Sequence, residues 1–130
     1  MDDQLLSGRH VLVIEDEMLV LMVIEDMLSD LGCTSITVAG NIEKALELIA
    51  SQSFDLATLD VNLNGRRSHP IAQALNEAGV PFAISTGYGE HGVGADYGDR
   101  PVLSKPYSPT QLVAVLTTLL PPVNPLALAA

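Results

Sequence analysis

FDLATLD, residues 54–60, carries a short apolar run into a carboxylate, and three other stretches repeat the design. Leu56, Ala57, Thr58 and Leu59 read as a buried strand, and Asp60 closes it. HVLVIEDE (10–17) leads the same kind of run into the acidic pair Glu15 and Asp16. PFAIST (81–86) ends on Thr86, and RPVLSK (100–105) ends on Lys105, followed by Pro106. In an open α/β sheet, ligands bind beyond the carboxyl ends of parallel strands. Laid side by side, these four strand ends bring Glu15, Asp16, Asp60, Thr86 and Lys105 to one rim. Carboxylates, a hydroxyl and an ammonium gathered there can hold a divalent cation and a phosphoryl group together.

Helical patterns separate the apolar runs. Residues 17–31 contain no Gly or Pro and are rich in Leu and Met. Residues 41–52 place Ile42, Ala45, Leu46 and Ile49 at helical spacing behind Asn41, a good cap. Residues 69–79 do the same with Ile71, Ala72, Leu75 and Ala78. Residues 108–120 open on Ser108-Pro109, a cap followed by Pro at the first helical position. Strands near 10–15, 34–39, 55–60, 81–85 and 101–104 alternate with these helices. That alternation predicts an α/β fold, a parallel sheet with helices on both faces and right-handed crossovers.

With an acidic pair after the first strand, Asp after the third, Thr-Gly after the fourth and Lys-Pro after the fifth, the chain resembles a response-regulator receiver domain. This is the phosphoacceptor half of a two-component system, and the resemblance covers residues 9–120. It implies a doubly wound, five-stranded, flavodoxin-like sheet in the order 2-1-3-4-5. It also implies Mg²⁺ as cofactor, with Asp16 and Asp60 binding it directly, Glu15 acting through water and Asn62 contributing its main-chain carbonyl. Asp60 is then the nucleophile that takes the phosphoryl group as an acyl phosphate. Lys105 and Thr86 contact the phosphoryl oxygens. The implied partner is a sensor histidine kinase or a phosphotransfer protein in the cytoplasm.

Three departures refine the resemblance. The loop Val61-Asn62-Leu63-Asn64-Gly65 lacks the Met-Pro that receivers commonly place beyond the phosphoacceptor. Val102 stands where receivers usually carry a Tyr or Phe on the fifth strand, and Tyr107 is not expected to substitute. The stretch 86–101 holds Gly87, Gly89, Gly92, Gly94 and Gly98. Each Gly inside a helix costs about 1 kcal/mol relative to Ala, so the fourth helix is expected to be short or loop-like. With the TGYG motif, these traits resemble the atypical stand-alone receivers that accompany alphaproteobacterial histidine kinases.

Taken singly, each motif has a plainer reading. Glu15-Asp16 could cap the next helix, Asp60 and Thr86-Gly87 could be turn residues, and Lys105 could be solvated. All four in order at four strand ends favour the site. A phosphatase of the haloacid dehalogenase type also combines an Asp nucleophile with Mg²⁺, Thr and Lys. It wants Asp-x-Asp near the first strand, however, and Met18 occupies the second position after Asp16. A degenerate receiver, used only for binding, would not be expected to retain every polar position.

Composition narrows the function further. The chain has 130 residues, 16 acidic against 6 basic, and a formal charge of −10. That balance argues against nucleic acid, whose phosphates need a basic surface. No apolar run approaches the roughly 18 residues of a membrane span, and the opening Met1-Asp2-Asp3 is unlike a signal peptide. Cys33 is read as a small core residue, and His10, His69 and His91 lack ligand spacing. Residues 121–130 form a Pro-rich tail, with no effector domain expected beyond it. The oligomeric state is left open. On the first helix, Met18, Leu21, Met22 and Glu25 share a strip beside the site, expected to be exposed, while Val20, Val23, Ile24, Met27 and Leu28 are expected to supply the core face.

Overall fold

The computed structural model describes residues 4–87, 97 and 100–120. The elements run β1 (His10–Ile14), α1 (Met18–Asp30), β2 (Ser35–Ala39), α2 (Ile42–Ser51), β3 (Leu56–Asp60), β4 (Asn62–Leu63), β5 (Arg66–Arg67), α3 (His69–Ala78), β6 (Phe82–Thr86), β7 (Val102–Ser104) and α4 (Pro109–Leu119). Five strands form one sheet in the order β2-β1-β3-β6-β7, and its neighbouring strands pair parallel. This is the doubly wound order that the resemblance implies. The expected fourth helix and the C-terminal tail fall outside the described residues.

Side-chain alternation splits the core in two. Leu12 and Ile14 of β1 join Leu59, Phe82 and Ile84 under α2 and α3. Val11 and Val13 join Leu56, Ala83 and Leu103 under α1 and α4. Because both sheet faces are covered, the strands read as near-continuous apolar runs. Packing also begins ahead of residue 9, since Leu6 is fully buried in the α1/α4 layer.

Local signals place the helices. Asn41 accepts the Lys44 N–H at 2.7 Å and starts α2. Ser108 and Gln111 form a reciprocal capping box that starts α4, with Pro109 in its first turn. Gly79 closes α3 in the left-handed conformation, φ 73°, a geometry that costs other residues about 1–2 kcal/mol. Ser68 occupies the N-cap position of α3, yet its hydroxyl makes no cap.

The loop expected after β3 contains a hairpin. Asn62↔Arg67 and Leu63↔Arg66 pair antiparallel across Asn64 and Gly65, whose φ values are 55° and 84°. Two successive positive φ values are what Asn-Gly supplies in a two-residue hairpin turn.

Candidate functional site

The rim at the carboxyl ends of β1, β3 and β7 collects the polar residues. Leu56, Thr58 and Asp60 alternate onto the α1/α4 side of β3, so the Asp60 carboxylate sits there, nearly buried. Glu15 follows β1 and is buried beside it. One oxygen from each of Glu15, Asp16 and Asp60 lies within 4.8 Å of the others. Lys105 Nζ enters this group, 3.1 Å from Asp60 Oδ2 and 2.9 Å from Glu15 Oε1. The first contact is a hydrogen bond. The second is an ion pair.

Main-chain amides hold the carboxylates in place. The Asn62 N–H donates to Asp60 Oδ1 at 3.2 Å, and the Asn64 N–H donates to Asp16 Oδ2 at 2.9 Å. The Glu17 N–H donates to Glu15 Oε2 at 3.2 Å. Asn62 Oδ1 accepts the Gly65 N–H at 2.8 Å, and Asn64 Nδ2 donates to the Gly40 carbonyl at 3.2 Å. The hairpin is therefore part of the site, because its turn residue carries the amide that orients Asp16.

The charge balance is uneven, with three carboxylates facing one ammonium. Burial pushes the Glu15 carboxyl up to about 7; Lys105 lowers it and Asp60 raises it further. Burial works against the charged form of Lys105, but Glu15 and Asp60 outweigh it and leave its pKa raised. The donor set is all oxygen and short of positive charge. Those properties fit a small hard divalent cation.

An open cleft of about 360 Å³ is lined by Asp16, Glu17, Asp60, Asn62, Gly87 and Lys105. Four of the expected residues therefore line it, and Glu15 forms a buried part of the same cluster. Thr86 is buried at the end of β6, one position past the Asp60↔Ser85 register pair. It closes its strand at the same rim, and the next residue, Gly87, lines the cleft wall. The Lys105-Pro106 peptide is cis.

Tyr107 is nearer the site than expected. Its ring is buried in the α1/α4 layer, and burial pushes its hydroxyl up to about 12. The hydroxyl faces Ser85 without meeting hydrogen-bond geometry, and neither group has another partner among the described residues. His10 is a satisfied edge residue, between the Ser53 carbonyl at 2.9 Å and Thr37 Oγ1 at 2.7 Å. Cys33 is buried, as expected.

Sequence reasoning missed Tyr97. Its side chain is 1% exposed and packs in the α2/α3 layer. Its hydroxyl lies 3.2 Å from Ser68 Oγ and 3.3 Å from the Val61 carbonyl. An aromatic residue within a polar, glycine-rich stretch was the available signal, since such a ring usually finds a core.

On α1, Ile24, Met27 and Leu28 are buried. Val20 and Leu21 are half-buried against the core. The exposed apolar strip is Met18 (68%), Leu19 (78%), Met22 (54%) and Val23 (54%). Val23 therefore leaves the expected core face, and Leu21 leaves the expected exposed strip. The sequence supplied more apolar positions than one packing stripe can take.

Comparison with known proteins agrees with this geometry. The family model described as the response regulator receiver domain matches residues 11–117. A probable transcriptional regulator, ycf27, from Porphyra purpurea is 31% identical over 116 residues, which are 86% of this chain and 47% of that protein. The chain thus spans about half the length of the curated relatives it matches. The solution structure of SdrG from Sphingomonas melonis Fr1 is similar at TM-score 0.77 and 36% identity, over 85% of this chain and 95% of that one. The receiver domain of the sensor histidine kinase PA1611 from Pseudomonas aeruginosa PAO1, solved with magnesium in its active-site cleft, is similar in fold. Its TM-score is 0.76 at 22% identity, over 87% of this chain and 98% of that one.

Proposed function

Because the chain belongs to the response regulator receiver family, we propose that it is a phosphoacceptor taking a phosphoryl group onto Asp60 from a histidine kinase or phosphotransfer protein. The carrying observation is the Asp60 carboxylate in an open cleft, with Lys105 Nζ 3.1 Å from one of its oxygens. In the reaction, an Asp60 oxygen attacks phosphorus and the bond to the donor nitrogen breaks. The departing imidazole keeps the electron pair and takes up a proton. Little else is required beyond positioning and charge neutralisation.

Receiver domains bind Mg²⁺ in the active site, and the residues here fit that ion. Asp16 and Asp60 would hold it, with Glu15 behind a water and the Asn62 carbonyl beside them. The ion supplies the positive charge that three carboxylates and a phosphoryl group require. The Asn62 N–H keeps Asp60 Oδ1 oriented. Lys105 shields the Asp60 charge in the resting state and can follow the phosphoryl oxygens after transfer. Thr86, through the hydroxyl that ends β6, is assigned to a phosphoryl oxygen.

SdrG supports the stand-alone reading, since its solved chain is matched over 95% of its length. The described residues contain no helix long and apolar enough to cross a membrane; the cytoplasmic reading is supported by the proposed partner. An apolar groove of about 440 Å³ runs beside the site between α1 and the Lys105–Tyr107 turn, lined by Leu19, Val20, Val23 and Pro106 among others. We assign it to the helices that present the phosphohistidine.

Intact-mass measurement after incubation with acetyl phosphate and Mg²⁺ tests the function. The wild-type chain should gain one phosphoryl group, and only with Mg²⁺. Asp60→Asn should gain none while keeping its fold, because the change is nearly isosteric. A phosphoryl gain in Asp60→Asn would remove Asp60 from the role.

A further inference from the structure

Ser68 occupies the N-cap position of α3 but does not cap it. Ser at that position ordinarily accepts an N–H from the first turn, an interaction worth about 1 kcal/mol. Here the hydroxyl turns the other way and donates to the main-chain carbonyl of Asp60 at 2.5 Å. A serine has one hydroxyl proton, and that bond uses it. The 3.2 Å contact between Ser68 Oγ and Tyr97 Oη must then have Tyr97 as donor. Tyr97 Oη also reaches the Val61 carbonyl at 3.3 Å, so its single proton is shared between the two oxygens. The Ser68 N–H donates to the same Val61 carbonyl at 2.9 Å. Ser68 and Tyr97 are 0% and 1% exposed, so water does not compete for these bonds.

We propose that Ser68 and Tyr97 are positioning residues that clamp the Asp60–Val61 main chain and so set the geometry of the phosphoacceptor loop. This deepens the proposed function and rests on it. The clamp grips the two carbonyls immediately before the Asn62–Asn64 segment, and the amides of Asn62 and Asn64 aim Asp60 and Asp16 into the cleft. Fixing the carbonyls at 60 and 61 limits the rotation of the peptide planes that follow. Both the nucleophile and the proposed metal ligands then keep one orientation. Tyr97 brings its own anchorage, because its side chain is buried in the α2/α3 layer and the Arg67 guanidinium lies 5.6 Å from its ring centre. The arrangement places a buried aromatic hydroxyl behind the phosphoacceptor loop. Loosening by a few tenths of an ångström should matter, since a 1 Å misplacement can cost about 100-fold in rate.

Tyr97→Phe keeps the ring and removes the hydroxyl, and Ser68→Ala tests the clamp from its other end. Three readouts are taken on each: the rate of phosphoryl gain from acetyl phosphate, the Mg²⁺ dissociation constant, and hydrogen exchange at the Asn62 and Asn64 amides. In both variants the rate should fall about tenfold, Mg²⁺ binding should weaken and both amides should exchange faster. The double variant should be little worse than either single one, because the two residues act as a unit. A lower melting temperature with unchanged amide exchange and Mg²⁺ affinity would overturn the clamp, leaving Ser68 and Tyr97 as packing residues. If the wild-type chain takes no phosphoryl group, the proposed function fails instead, and amide exchange at 62 and 64 still decides the clamp.

Discussion

Glu15 is the most informative single residue. It is nearly buried, its carboxyl is pushed up to about 7, and its compensating charge is Lys105. A carboxyl raised in the folded state binds a proton that the unfolded chain has released. The folded chain therefore loses stability as pH rises from the ordinary carboxyl range to about 7, and the loss levels off above that. The metal-free wild-type chain should melt at a lower temperature at about pH 8 than at about pH 5 by more than Glu15→Gln does. Saturating Mg²⁺ should shrink this difference, because a cation favours the ionised carboxylate. Equal slopes in wild type and Glu15→Gln, measured by calorimetry, would show that Glu15 is not the group titrating.

At the scale of elements, α1 divides its work between core and surface. Ile24, Met27 and Leu28 hold it to the sheet, whereas Leu19, Met22 and Val23 face outward next to the groove. Exposed apolar strips of this kind mark contact surfaces, and Met adapts readily to a partner. Leu19→Glu combined with Val23→Glu should slow transfer from a histidine kinase at least about tenfold, the size expected from losing one contact hot spot. Phosphoryl gain from acetyl phosphate should stay near wild type. Equal slowing with both donors, followed by intact mass, would mean damage to the site itself.

The same scale shows what was legible in the sequence. Strands buried on both faces announced themselves as apolar runs, and Asn41 and Ser108-Pro109 announced two helix starts. The acidic cluster and Lys105 followed once those strands were laid parallel. The β4–β5 hairpin is written in Asn64-Gly65, a strong local signal eclipsed by the expectation of a loop. Which apolar residues of α1 pack was not legible, because every position in 18–24 is apolar and periodicity cannot choose among them. Tyr97 was hidden for another reason. Its partners are a serine and main-chain carbonyls distant in sequence, and no short motif encodes such a contact.

Across the whole molecule, a sheet covered on both faces brings its polar strand ends to one rim. The two buried layers hold β1, β3, β6 and β7 in register, and that register puts Glu15, Asp60 and Lys105 within reach of one another. The proposed function depends on Asp60 becoming an acyl phosphate. The direct measurement is borohydride reduction after incubation with acetyl phosphate and Mg²⁺, which converts an aspartyl phosphate to homoserine, followed by peptide sequencing by mass spectrometry. The account predicts homoserine at position 60, present only when both donor and Mg²⁺ were supplied. Homoserine at another aspartate, or none in a folded chain exposed to both, would contradict it.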